Sequence, residues 1–160
     1  MTTPQSLLGY EAELAARREP YVRATVVWRR QPASSKAGAK AVVTTDGKLR
    51  GWVGGACAEP IVIRESLRAL AEGTPRLLHL GRTDELIGAQ EGRVTVPISC
   101  ASEGALEVFI EPHLPRPHLV IIGHAPLVGT LASMAQQIGF EVAVVDRDGA
   151  ADVDADRVVP

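Results

Sequence analysis

The spacing of apolar residues changes period along the chain, and each change marks an element. Glu11-Ala-Glu-Leu-Ala-Ala-Arg-Arg18 consists of strong helix formers and predicts a short opening helix that Pro20 stops. Tyr21-Val-Arg-Ala-Thr-Val-Val-Trp28 alternates imperfectly and is rich in β-branched and aromatic residues, which predicts a strand followed by a polar loop over about 29–38. Residues 40–45 and 49–53 flank Asp46-Gly47, a pair suited to the positive φ angles of a tight hairpin turn, and predict two antiparallel strands. The period then lengthens. Over 58–72, Ile63, Leu67, Leu70 and Ala71 fall at i, i+4, i+7 and i+8 ahead of Gly73, the pattern of an amphipathic helix packed on the sheet, with Pro60 tolerated in its first turn. Further strands are expected at 76–80, 93–96 and 105–110, with 81–92 read as loop or a short helical turn.

Glu111-Pro-His-Leu-Pro-Arg-Pro117 has three prolines in seven residues and predicts a stiff, extended connector. It divides the chain into a domain at 1–112, a linker at 113–117 and a second domain at 118–160. In the second domain, His118-Leu-Val-Ile-Ile122, a glycine-bearing turn, a helix over 126–138 and Phe140-Glu-Val-Ala-Val-Val145 form a βαβ unit ending at Asp146. The expected class is α/β: an N-terminal mixed or antiparallel α+β domain, then the first βαβ part of a Rossmann-like parallel sheet. Arg157-Val-Val159 could begin a third strand. One βαβ unit cannot cover both faces of such a sheet, so either the chain is a fragment or truncated form, or the sheet is completed by the first domain or another subunit; the unfinished edge leaves a homodimer open.

With 46% hydrophobic and 22% charged residues, the 160-residue chain can bury a core. Seventeen basic against nineteen acidic residues provide no electrostatic footprint for nucleic acid. The longest apolar stretches fall far short of the roughly 20 residues that span a bilayer, so no membrane span is expected. Two distant cysteines and a start without signal-peptide features point to the reducing cytoplasm.

Candidate chemistry centres on Gly51-Trp-Val-Gly-Gly-Ala-Cys-Ala-Glu59, where a strand hands over to a helix. Gly54 and Gly55 let the backbone approach a ligand, and the helix start is expected to turn unpaired N–H groups toward an anion. Cys57 would feel the positive helix end, which favours thiolate and suits a soft metal or a sulfur-bearing cofactor. Glu59 could hold a ring nitrogen or accept a proton. The bland alternative stays open: the glycines make a turn, Cys57 packs as a small hydrophobe and Glu59 complements the dipole. Cys100 sits in a second small-residue loop and is either a companion thiol or structural. Lys36 and Lys40, with Arg29, Arg30, Ser34 and Ser35, make a basic loop able to bind phosphate, or simply a solvated one.

A second glycine site, Gly123-His-Ala-Pro-Leu-Val-Gly129, carries Ala125 in place of the central glycine of the dinucleotide fingerprint, while Asp146 stands where a ribose is usually held. NAD(P) is therefore the less favoured ligand, and the residues to watch are Gly123, Ala125, Gly129 and Asp146. Asp152, Asp154 and Asp156 lack the glycine and glutamate of a calcium loop and read as solvated. The cysteines and histidines form no zinc motif, and no catalytic residue is assigned.

Gly38-Ala-Lys-Ala-Val-Val-Thr-Thr-Asp-Gly-Lys-Leu-Arg-Gly-Trp-Val-Gly-Gly-Ala-Cys-Ala-Glu59, Gly73-Thr-Pro-Arg-Leu-Leu78 and Cys100-Ala-Ser-Glu-Gly-Ala-Leu-Glu-Val-Phe-Ile-Glu-Pro112 together resemble the XdhC and CoxI accessory proteins of xanthine dehydrogenase and carbon monoxide dehydrogenase. Residues 117–146 look like the start of that family's Rossmann-like domain. The resemblance implies a chaperone for the molybdenum cofactor, as molybdopterin or its cytosine dinucleotide. Such a protein binds the cofactor while a sulfurtransferase of the cysteine desulfurase type installs the sulfido ligand, then serves an apo molybdenum hydroxylase. Cys57, as a metal ligand, and Cys100 match the family's cysteine positions. An NAD(P)-binding oxidoreductase-like protein and a truncated partner-binding scaffold are the alternatives.

Overall fold

In the computed structural model, residues 6–82, 92–98, 104–146 and 154–159 are described. The chain forms two compact units, Met1–Pro115 and Arg116–Pro160. Mixed α/β content matches the expected class.

The first unit runs α1 (Leu7–Ala16), β1 (Tyr21–Arg30), β2 (Lys40–Thr44), β3 (Leu49–Gly51), α2 (Glu59–Glu72), β4 (Arg76–Gly81), β5 (Arg93–Pro97) and β6 (Ala105–His113). These strands form one sheet in the order β3-β2-β1-β6-β4-β5, antiparallel throughout except for the parallel pair β4 and β5. Alternation sends Val22, Ala24, Val26, Val43, Leu78, Leu80, Val108 and Ile110 to one face, where they pack with Val62 and Ala69 of α2. Each Val, Leu or Ile of this layer taken out of water contributes about 1.5–3 kcal/mol, so the layer dominates the stability of the unit. On the other face α1 covers only one end, packing Leu14 on Tyr21 and Val42. The Ser6 hydroxyl caps α1 by accepting from the Gly9 N–H at 3.1 Å.

Three details depart from the sequence pattern. The imperfect alternation of β1 has a cause: between Val26 and Trp28 the register against β6 shifts, so Val26 pairs with Val108 while Trp28 pairs with Glu107. The inward stripe of α2 is Val62, Glu65, Ser66 and Ala69, whereas Leu67 and Ala71 are exposed. Small residues bring the helix close to the sheet, and the buried Glu65 is neutralised by Arg64, Arg68 and Arg76 at 2.9, 3.1 and 3.1 Å. Finally, β6 continues through Glu111-Pro-His113 instead of yielding to the connector. Pairing with β4 stops at Ile110, so Pro112 lies beyond β4 and its missing N–H breaks no ladder on that side.

The second unit contains β7 (His118–Ile122), α3 (Pro126–Gln137), β8 (Glu141–Val145) and β9 (Arg157–Val159), with all three strands parallel in the order β7-β8-β9. Val128, Ala132 and Ala135 of α3 pack on Ile121, Val142 and Val144. Asp156 is exposed, as expected of a solvated loop, and also accepts from the Val142 N–H at 2.8 Å, which ties the approach to β9 onto β8. No helix among the described residues is long and apolar enough to cross a membrane.

Candidate functional site

Where β3 gives way to α2, the chain is held close to β2. Gly51 has φ +113°, and a Cβ on it would lie 2.5 Å from the Lys40 carbonyl oxygen, so only glycine fits. Val53 then anchors in the core while Trp52 stays outside. The following turn carries Gly54 and Gly55, the latter's missing Cβ lying 3.5 Å from the Ser34 hydroxyl.

This turn forms one wall of a cavity of about 470 Å³, with Cys57 in its lining. The facing wall is the end of β1 and the stretch after it, contributing Arg29, Gln31, Pro32, Ala33 and Ser34, and Ile98, Gly104 and Leu106 also line the space. Gly104 is forced by packing: a Cβ there would fall 2.0 Å from the Pro32 carbonyl oxygen. Arg29 holds the Pro32 wall, its Nη1 donating to the carbonyls of Ser35 at 3.0 Å and Ala33 at 3.4 Å. The polar groups around this largely aliphatic and backbone-walled space are therefore a guanidinium, an amide, a hydroxyl and an exposed thiol.

The structure brings Gly54, Gly55 and Cys57 together but separates the other sequence candidates. Glu59 opens α2 outside the lining, and Lys36 lies exposed beyond the Arg29-held wall. Lys40 alternates with the core residue Ala41 and shares its side of the sheet with Val42 and α1, away from the α2 face. The basic loop is thus not a single phosphate site. The expected cradle of unpaired helix N–H groups is also absent: Ala58 and Glu59 both donate to the Gly55 carbonyl, Ile61 and Val62 donate to that of Ala58, and Pro60 has no N–H. A ligand anion must instead be met from ahead of the helix or by the facing wall. Cys100 lies outside the described residues.

Gly123, Ala125, Gly129 and Asp146 belong to the second unit. Ala125 is the N-cap of α3, with Pro126 behind it, and Gly123 takes φ +145° as the chain leaves β7. Asp146 follows β8 as expected, but it is buried and its N–H donates to Val159 at 3.0 Å. Among the described residues no group of three or more His, Cys, Asp or Glu could hold a metal ion. Composition and periodicity missed Gln31, Pro32, Ala33, Ile98 and Leu106. Their signal was packing across the sheet, which leaves no local pattern.

Residues 14–81 match the XdhC and CoxI family. Over 135 residues the chain is 38% identical to the uncharacterized protein YqeB of Escherichia coli (strain K12), covering 84% of this chain but 23% of that relative. A solved structure described as a xanthine dehydrogenase from Bacillus halodurans has the same fold, with a TM-score of 0.50 at 18% identity, covering 96% of this chain and 68% of that one.

Proposed function

From a first unit that carries the XdhC and CoxI pattern over residues 14–81, we propose that the chain is an accessory protein binding the molybdenum cofactor for a molybdenum hydroxylase. The observation carrying this reading is the cavity itself: about 470 Å³, walled by backbone and aliphatic groups, with the Cys57 thiol and the Arg29 guanidinium among the described residues of its lining. That donor set suits a cofactor bringing its own metal ligands. A molybdopterin is a flat ring with a dithiolene and an anionic tail, so one additional soft thiolate suffices at the metal and three co-ligands are unnecessary.

In this reading Cys57 holds the metal end, and Gly54 and Gly55 permit close approach of the ring. Arg29 and Ser34 provide charge and a hydroxyl for the anionic part. The bound group supplies the redox chemistry of the enzyme that receives it; the protein's contribution is to hold it, exclude water and allow a sulfurtransferase to reach it. The test is the molybdenum and pterin content of protein purified anaerobically from cells that make the cofactor. Wild type should retain both molybdenum and a fluorescent oxidised pterin, and Cys57→Ala should lose most of the metal. Wild type without either would refute the proposal.

A further inference from the structure

The face of the six-stranded sheet opposite α2 is only partly covered, because α1 reaches just the Tyr21 and Val42 end. Beyond α1, strand register lines up one row across five strands and the residue that follows β3: Trp52, Lys40, Thr25, Phe109, Leu77 and Arg93. Beside it lie Trp28, paired with Glu107, and His79, whose ring stacks with Trp28 at 6.3 Å. Both tryptophans of the chain are here, Trp52 at 49% and Trp28 at 43% exposure, with Phe109 at 37%. Large aromatic side chains left in water on a sheet face are the composition of a protein-docking surface.

Charge identifies the occupant. Glu107, the carboxylate of this band, is already held by Arg93 at 2.7 Å and His79 at 3.2 Å. Lys40 makes no direct ion pair among the described residues; the nearby Glu11, whose carboxylate it helps to keep charged, is already taken by Arg23 at 2.8 Å. A second copy packed face to face would bring Lys40 a neutralised glutamate and another lysine, so the charge pattern favours a different protein offering an apolar patch and an open carboxylate. Position adds a second argument. Consecutive residues of the two central strands alternate between this band and the cavity: Trp28 and Glu107 face the band, while Arg29 and Leu106 line the cavity.

We propose that this band, with Trp28, Phe109 and Lys40 at its centre, is where the enzyme receiving the cofactor docks, its carboxylate opposite Lys40. The identity of the partner rests on the function proposed above; the surface does not. Docking on the outer side of β1 and β6 puts the acceptor against the strands whose inner side forms the pocket.

The experiment measures binding of the purified apo-hydroxylase from the same cells to the full chain immobilised on a biosensor. Wild type is compared with Lys40→Glu, with a Trp28→Ala plus Phe109→Ala double variant and, as control, with Leu8→Ala on α1. Lys40→Glu and the double variant should each weaken binding on the order of thirtyfold, the control less than about threefold. Lys40→Glu changes an exposed side chain, so its result stands even if the double variant folds poorly. Molybdenum and pterin content and the rate of Cys57 alkylation by iodoacetamide should stay at wild-type values in Lys40→Glu. Equal binding by all variants overturns the proposal. So does a wild type that ignores the hydroxylase, whether it self-associates through this band in sedimentation or not. A wild type empty of molybdenum and pterin, with binding that still depends on Lys40, refutes the cofactor reading and leaves the surface standing.

Discussion

The carbonyl oxygen of Pro32 occupies the space in which a side chain on Gly104 would begin, 2.0 Å from where that Cβ would lie. One wall of the cavity is thus seated directly on the backbone of β6's leading residue. Gly104→Ala should push the Pro32 stretch away, costing about 1–3 kcal/mol in a urea melt and reducing pterin retention. Wild-type stability and retention in this variant would show that the contact is not rigid.

Arg29 acts on the same wall from the other side. Lysine keeps the charge but cannot reproduce two bonds from one planar guanidinium nitrogen to the Ala33 and Ser35 carbonyls. If the main role is to position the wall, Arg29→Lys and Arg29→Ala should lose cofactor affinity similarly. If lysine restores it, charge toward the ligand is what matters. Titration with molybdopterin under anaerobic conditions separates the two.

Acid should weaken the first unit through Glu11. Its carboxylate receives Arg23 Nε and Nη2, each at 2.8 Å, and this hydrogen bonding holds its pKa below the ordinary 4.5 despite burial. A depressed folded pKa means that the stabilisation is complete above the unfolded value and is lost as pH falls through the lower folded one. Glu11→Gln should cost about 2 kcal/mol near neutrality and flatten the stability profile below pH 4.5. Parallel wild-type and variant profiles in that range would rule Glu11 out as the source.

A second ion pair is fully enclosed. Glu65 has no exposed surface and binds Arg76, itself buried, at 3.1 Å. Glu65→Ala should cost about 3 kcal/mol by leaving Arg76 with only Glu72 as a carboxylate partner among the described residues. Replacing both members, Glu65→Leu with Arg76→Met, should recover most of that loss. Chemical denaturation of the three variants gives the comparison.

Period and propensity alone located nearly every element, because β-branched runs, Asp46-Gly47 and Gly73 act through local backbone preferences. They were less successful where tertiary packing decides. The inward face of α2 runs through Glu65 and Ser66, which reads as solvent-facing until Arg76 from β4 is known to sit beside it. Lys40 and Lys36 are close in sequence, yet strand parity sends Lys40 to the α1 side. The glycines and thiol of the pocket were visible as a motif, while Pro32 and Leu106 came into it only through the pairing of β1 with β6.

The extra residue at Val27 has an evolutionary consequence. It reverses the phase of β1, so that positions before it are apolar when even-numbered and those after it answer to the opposite parity. Pairing the strand without the bulge, every residue kept, would set Trp28 opposite Leu106 and turn it inward with Arg29 outward, exchanging the chemistry of the strand's two sides; removing Val27 would leave both where they are. A one-residue gap at Val27 therefore preserves both sides of the strand, whereas an alignment of distant relatives that closes that gap and slides by one place will assign each downstream residue to the wrong side.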